Sequence, residues 1–238
     1  MKIKWLGALL PQIVDGIVIH YTPSDSLVEE CLQWLSSEEI HRANRFRRPA
    51  GREQFILSRG ITRIVLSDYL AQPPEAVVFH YGEHGKPDVD GLQFNVSHSR
   101  STVAIVLSDV YSVGVDIEFL NRELNLDQVA KILLSPDALA SWQYLPVSQK
   151  RQSIFEVWTA KEAYLKARGS GLDRSLQKIS VELQESTGKL ILNDPAYVGA
   201  VSLHRLEFAN SVLSPDLIGA VAVLDSELIR LRLNYQVM

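Results

Sequence analysis

Two short stretches carry residues whose type and spacing suit cation and phosphate chemistry. In Gly114-Val115-Asp116-Ile117-Glu118 the two acids stand two residues apart. Alternate side chains of a strand share a face, so Asp116 and Glu118 lie beside Gly114 while Val113, Val115 and Ile117 point the other way. Carboxylates roughly 7 Å apart next to a glycine suit a hard cation such as Mg²⁺, which takes one or two carboxylates plus substrate phosphates. A solvent-facing acidic strand fits the same pattern. In the second stretch, WTAKEAYLK, Trp158, Glu162 and Lys166 recur every four residues along one side of a helix. Glu162 and Lys166 alone make an ordinary surface pair worth tenths of a kcal/mol. Joined to Asp116 and Glu118, Glu162 is a third carboxylate and Lys166 a phosphate contact.

Two further stretches are basic or polar. Arg42, Arg45, Arg47, Arg48, Arg52, Arg59 and Arg63 crowd a segment whose single acid is Glu53. The planar guanidinium matches phosphate oxygens, so a phosphorylated small molecule or an acidic partner surface is suggested, with a solvated basic helix face as the plainer reading. His80 and His84 flank Gly82 and a Gly-Lys-Pro turn carrying Lys86, which makes a helical metal pair improbable. In FNVSHSR, Ser97 adjoins His98, but neighbours on a strand face opposite ways, poor geometry for a nucleophile and its base. No G-x-S-x-G, H-E-x-x-H, Walker A or G-x-G-x-x-G pattern occurs, so a serine hydrolase is disfavoured.

These residues must be positioned by a chain of 238 residues with net charge −4. Nothing global favours nucleic acid or an anionic membrane as partner. Cys31 is the single cysteine, so neither an intrachain disulfide nor a cysteine zinc site is available. Pro11 and Asp15 interrupt the apolar N-terminal run, and no stretch nears the roughly 20 apolar residues of a membrane span. A soluble, cytoplasmic protein is expected.

A β-branched run predicts a strand over 16–22, and helical spacing predicts a helix over 26–46, broken at the cap candidates Ser36 and Ser37. A further amphipathic helix is expected over 52–71, with Phe55, Ile56, Ile64 and Leu66 among its core residues. Strands follow, including 94–99 and 111–120, then helices over 126–168 interrupted near Pro136 and Pro146, then strands to the end. The pattern is α+β and divides near Val110–Tyr111 into two similar halves, 1–110 and 111–238, meeting at a cleft.

Taken in order, FNVSHS, GVDIE and WTAKEAYLK resemble the three signature blocks of the Sfp-type 4′-phosphopantetheinyl transferases, in the class marked by W-x-x-K-E-A. The GKP turn at 85–87 and GSGL at 169–172 fit as well. The resemblance implies a pseudo-dimer of two α+β halves with the active site between them, needing no second chain. It implies transfer of phosphopantetheine from coenzyme A to a serine of an apo acyl or peptidyl carrier protein, with release of adenosine 3′,5′-bisphosphate. By the same resemblance Asp116, Glu118 and Glu162 would hold Mg²⁺ at the pyrophosphate, Glu162 serving also as general base. Lys166, and Lys161 with it, would steady the pyrophosphate. Ser97 and His98 would contact the nucleotide phosphates, chiefly the 3′-phosphate, with Lys86 near the adenosine. The basic segment departs from the common pattern, reading Gly51-Arg52-Glu53-Gln54. Arg52 is the first choice for the 3′-phosphate, with Arg45, Arg47 and Arg48 as alternatives. The turn GKPDVDG lacks the second proline often found after this motif.

Overall fold

Two stretches of the chain repeat one order of elements: a strand, three helices of which the third has 22 residues, then four strands. The computed structural model describes residues 13–82, 85–171, 176–184, 189–206, 208, 215–225 and 230–237. Residues 1–12, which hold most of the apolar N-terminal run, His84 and Leu172 lie outside them. The first stretch holds β1 (Ile13–His20), α1 (Asp25–Leu32), α2 (Ser37–Asn44), α3 (Pro49–Leu70), β2 (His80–Tyr81), β3 (Pro87–Asp88), β4 (Gln93–Ser99) and β5 (Thr102–Ser108). The second holds β6 (Val113–Phe119), α4 (Leu126–Leu133), α5 (Pro136–Gln143), α6 (Val147–Arg168), β7 (Ser180–Gln184), β8 (Lys189–Asn193), β9 (Val201–Leu206) and β10 (Leu217–Leu224). Val110 and Tyr111 fall in the connection between the two.

The sheets repeat the likeness. One has the order β1-β5-β4 and the other β6-β10-β9-β8-β7, so in each the first strand pairs antiparallel with the last and the last with the one before. Two similar α+β halves are thus present. The final strand, β11 (Arg230–Val237), crosses back and runs parallel to β1 at the edge of the first sheet, a pairing absent from the sequence reading.

Strand alternation builds the layers. Ile17, Ile19, Val103 and Ile105 face α3, where they bury Ile56, Ile64 and Leu66. The opposite faces of the two sheets share a core in which Val14, Val18, Ala104 and Val106 meet Val113, Val115, Ile117, Val221 and Val223. Beyond the second sheet Ala163, Tyr164 and Ala167 of α6 pack on Ala220 and Ala222. The layers run helix, sheet, sheet, helix, so each sheet is covered on both faces and each long helix buries one.

Local signals set the boundaries. The break after α1 is closed by Ser36, whose hydroxyl accepts from Glu39 N while the Glu39 carboxylate accepts from Ser36 N, a reciprocal cap. Glu39 then takes the buried Arg63 at 2.8 Å, tying α2 to α3. Pro146 precedes α6, and Gly169 ends it at φ +67°, a conformation natural to glycine. Among the described residues no helix is long and apolar enough to cross a membrane.

Candidate active site

Strand β6 and helix α6 meet closely at Gly114. A Cβ placed there would stand 2.0 Å from Ala163 O and 2.4 Å from Ala167 N, so the helix backbone lies directly on the strand. That contact brings the two chemically marked stretches together. Gly114, Asp116 and Glu118 face α6, and Glu162 and Lys166 descend from α6 toward them. The alternation read from the sequence holds, because Val113, Val115 and Ile117 enter the shared core.

Lys166 Nζ donates to Asp116 Oδ1 at 2.6 Å and to Val115 O at 3.1 Å. Ser97 Oγ also donates to Asp116 Oδ1, at 2.8 Å. Asp116 Oδ2 is buried with no hydrogen-bond partner. Glu118 accepts from Ser99 Oγ at 3.0 Å and from Arg122 Nη1 at 2.5 Å, and the Arg122 guanidinium stacks over Trp158. Burial lifts the Glu162 carboxyl above the usual carboxylate range, reinforced by the Asp116 and Glu118 charges and opposed by Lys166. Burial raises Glu118 too, against hydrogen bonding from Ser99 and the Arg122 charge. At Glu118 and Glu162 burial, with like charge nearby, thus outweighs the opposing Lys166 and Arg122.

Among the described residues no three His, Cys, Asp or Glu side chains already surround one point. The donors nevertheless fit Mg²⁺, which is held through a few hard carboxylate oxygens and completed by substrate phosphates. The unpartnered Asp116 Oδ2 and the mutual repulsion of the acids are what such an ion would relieve.

Above the acids lies the cleft. A cavity of about 270 Å³ is lined by Gly85, Lys86, Pro87, Asn95, Val96, Glu162, Leu165, Lys166, Gly169 and Gly171. A second, of about 320 Å³, shares Gly85, Pro87 and Val96 and extends between β4 and α3, past His98, Gln54, Phe55, Arg59 and Arg42. Lys86 spans the two halves, its ammonium donating to Val113 O and Ala167 O at 3.3 Å each, and burial lowers its pKa. His98 Nδ1 faces Gln54 Nε2 at 3.3 Å. With the amide donating, the ring's remaining proton sits on Nε2, so neutral His98 is a donor. Burial, chiefly, and the Lys166 charge next hold its pKa below that of free histidine.

Two sequence expectations, for Lys161 and Ser97, need correction, and the basic segment is sorted by its packing. Lys161 points away from the cleft: it is 2% exposed and donates to Leu133 O at 2.5 Å and Leu176 O at 2.7 Å, fastening the end of α4 to the loop after α6. One residue along a helix turns the side chain by about 100°, so Lys161 and Glu162 cannot share a face. Ser97 is buried with its hydroxyl committed, donating to Asp116 and accepting from Ile117 N at 3.2 Å, which leaves it no proton for a phosphate. Arg52 lines neither cavity and bonds Asn44 at 3.3 Å, while Arg45, Arg47 and Arg48 are exposed. The arginines that reach the second cavity are Arg42, over the Phe55 ring, and Arg59, over Phe79 and beside Glu39.

The sequence reading also missed residues that the cleft uses. Ser99 shares the Ser97 face of β4, and Arg122 follows Glu118 by four, so spacing held a signal for both. Gln54 and Phe55 belong to a helical stripe, Gly51, Gln54, Phe55, Ser58, Arg59 and Thr62, that faces the second cavity.

The buried Lys161 makes stability depend on pH. Desolvation lowers its pKa to about 8 from the usual 10.5. Between those values the unfolded chain binds the extra proton, so stability rises with pH across the window; below it the cost of burying the charge is present in full. Urea unfolding at pH 8 and pH 10 is expected to show this rise in the wild type and a flatter dependence in Lys161→Met. Equal pH dependence in the two would remove Lys161 as its source.

Comparisons with known proteins follow the two halves. The family described as "4'-phosphopantetheinyl transferase superfamily" matches residues 112–220, and that described as "4'-phosphopantetheinyl transferase, N-terminal" matches 19–109. The 4'-phosphopantetheinyl transferase HetI of Nostoc sp. is 35% identical over 197 residues, covering 79% of this chain and 83% of that protein. The 4'-phosphopantetheinyl transferase gsp of Aneurinibacillus migulanus is 29% identical over 171 residues, 71% of this chain and 67% of that one. A solved holo-(acyl-carrier-protein) synthase from Bacillus anthracis, in complex with CoA (3',5'-ADP), aligns at 28% identity and TM-score 0.42 over 50% of this chain and 100% of its own.

Proposed function

This chain belongs to the 4′-phosphopantetheinyl transferase superfamily, and we propose that its cleft moves phosphopantetheine from coenzyme A to a serine of an apo carrier protein. The enzyme class, a 4′-phosphopantetheinyl transferase acting on carrier proteins, follows from the family. The observation that carries the finer reading is the meeting of Glu162 and Lys166 with Asp116 and Glu118 at the floor of a cleft walled by the Gly85-Lys86-Pro87 turn and β4.

Asp116, Glu118 and Glu162 would hold Mg²⁺. Such an ion supplies charge neutralisation at a pyrophosphate, the main requirement when a phosphoryl group is displaced. The protein's own groups do the rest. Lys166, anchored on Asp116 and Val115 O, would place one fixed positive charge against the pyrophosphate. His98 would donate from Nε2 to the nucleotide's phosphates, with Arg42, which lines the second cavity, rather than Arg52 as the guanidinium beside it. Lys86, held between the halves, would flank the adenosine.

In the transfer, the carrier serine Oγ forms a bond to the phosphorus bearing the pantetheine. The bond from that phosphorus to the bridging oxygen breaks, and its electron pair leaves on adenosine 3′,5′-bisphosphate. The hydroxyl proton passes to Glu162, whose raised pKa suits a general base. Both walls of the cleft come from the two halves of the same chain, the arrangement a monomeric enzyme would need.

The test is to incubate the protein with coenzyme A, Mg²⁺ and a panel of apo carriers, and to weigh each carrier intact. A gain of one phosphopantetheine on the carrier serine is expected, with adenosine 3′,5′-bisphosphate formed in equal amount. No gain on any carrier defeats the proposal, and nucleotide release without a carrier points instead to a hydrolase.

The exposed corner between α2 and α3 carries Arg45, Arg47 and Arg48 around Phe46, which is 42% exposed. A basic rim about an apolar centre suits the acidic helices of carrier proteins. Arg47→Glu with Arg48→Glu is expected to raise the carrier KM about tenfold at low salt, with kcat unchanged and the difference shrinking as salt rises. An unchanged KM would place carrier docking elsewhere.

A further inference from the structure

Strands β4 and β6 face each other as edges of different sheets, and the two sheets share no backbone ladder there. Side chains at alternate positions of β4 bridge the gap. Asn95 Oδ1 accepts from Val115 N at 3.0 Å, and Ser97 Oγ accepts from Ile117 N at 3.2 Å. Ser97 then donates to Asp116 Oδ1 at 2.8 Å, and Ser99 donates to Glu118 Oε2 at 3.0 Å. Each acid of β6 therefore has its own hydroxyl on β4, and the acids and hydroxyls come from opposite halves of the molecule.

We infer that Ser97 and Ser99 are positioning residues that orient Asp116 and Glu118 toward a divalent cation, so that the cation site is complete only when both halves are joined. The inference rests on the metal reading of these acids given above. An aspartate can exchange its two oxygens by rotation. In Asp116 both donors, Ser97 and Lys166, sit on Oδ1, which fixes the rotation and leaves Oδ2 buried and unpartnered. Glu118 has a longer side chain with more freedom to lose. Ser99 holds one of its oxygens and Arg122 the other, and each oxygen keeps a second lone pair for a further ligand. Groups that orient metal-binding carboxylates in this way typically change metal affinity by about 10–100-fold when removed.

The test uses Mn²⁺ as probe, with free Mn²⁺ read by electron paramagnetic resonance in the presence of coenzyme A. Ser99→Ala is expected to weaken Mn²⁺ binding about tenfold. Ser99→Thr, which keeps the hydroxyl and suits a strand, should restore it. Coenzyme A affinity measured by calorimetry in EDTA should be the same in Ser99→Ala as in the wild type, a readout that general damage to the fold would move. Ser97→Ala should weaken Mn²⁺ binding as well, but it also strips Ile117 N of its acceptor, so the decision rests on Ser99. Unchanged Mn²⁺ affinity in Ser99→Ala, or an equal loss of coenzyme A affinity in EDTA, overturns the inference. A wild-type protein that takes up no Mn²⁺ overturns the metal reading itself and this inference with it, so the two failures are told apart.

Discussion

Glu162→Gln is expected to slow phosphopantetheine transfer by about 10²–10⁴-fold, the range for loss of a general base, while coenzyme A affinity measured in EDTA stays near that of the wild type. The substitution preserves shape and removes one charge and one proton acceptor. Glu162 stands one helical turn before Lys166 on the wall of the first cavity, above Asp116 and Glu118. No carboxylate of the described cavity lining competes with it for the serine proton. The acids below are engaged by Ser97, Lys166, Ser99 and Arg122, whereas Glu162 takes its raised pKa from burial and from their charge. Single-turnover rates of carrier modification, with coenzyme A in excess, separate the chemical step from binding. A rate within tenfold of the wild type would remove Glu162 from the base role.

Gly114→Ala is expected to cost about 3 kcal/mol or more, and transfer should be lost even where the protein still folds. One added carbon would stand 2.0 Å from Ala163 O and 2.4 Å from Ala167 N, and both are helix backbone rather than a flexible side-chain end. Either the strand or α6 must shift. Because Glu162 and Lys166 ride on α6 while Asp116 and Glu118 belong to β6, any shift separates the two sets of groups. A displacement of about 1 Å can cost a hundredfold in rate. Thermal unfolding and transfer rates for Gly114→Ala check both parts. A wild-type melting temperature together with a wild-type rate would mean that α6 does not lie on β6 as described.

Much of this arrangement was legible in the sequence, and particular residues show why. Period-two spacing put Asp116 and Glu118 on one face of β6 and sent Val115 and Ile117 to the core. Period-four spacing aligned Trp158, Glu162 and Lys166. Ser36 and Pro146 marked helix boundaries because capping chemistry is local. The layers failed to show where partners came from distant segments. Nothing near Lys161 announces that Leu133 O and Leu176 O await it, and nothing beside Ser97 names Asp116 as its acceptor. Among seven arginines of similar sequence context, only the packing of α2 and α3 selects Arg42 and Arg59 for the cavity. The pairing of β11 with β1 joins the ends of the chain, a contact that no short-range pattern reports.

The measurement closest to the central claim is the anomalous scattering of Mn²⁺ in crystals of the protein grown with coenzyme A. A single strong peak is expected in the cleft beside Asp116, Glu118 and Glu162, with coenzyme A bound next to it. A coenzyme seated in the cleft with the peak elsewhere, or with none, would contradict that claim.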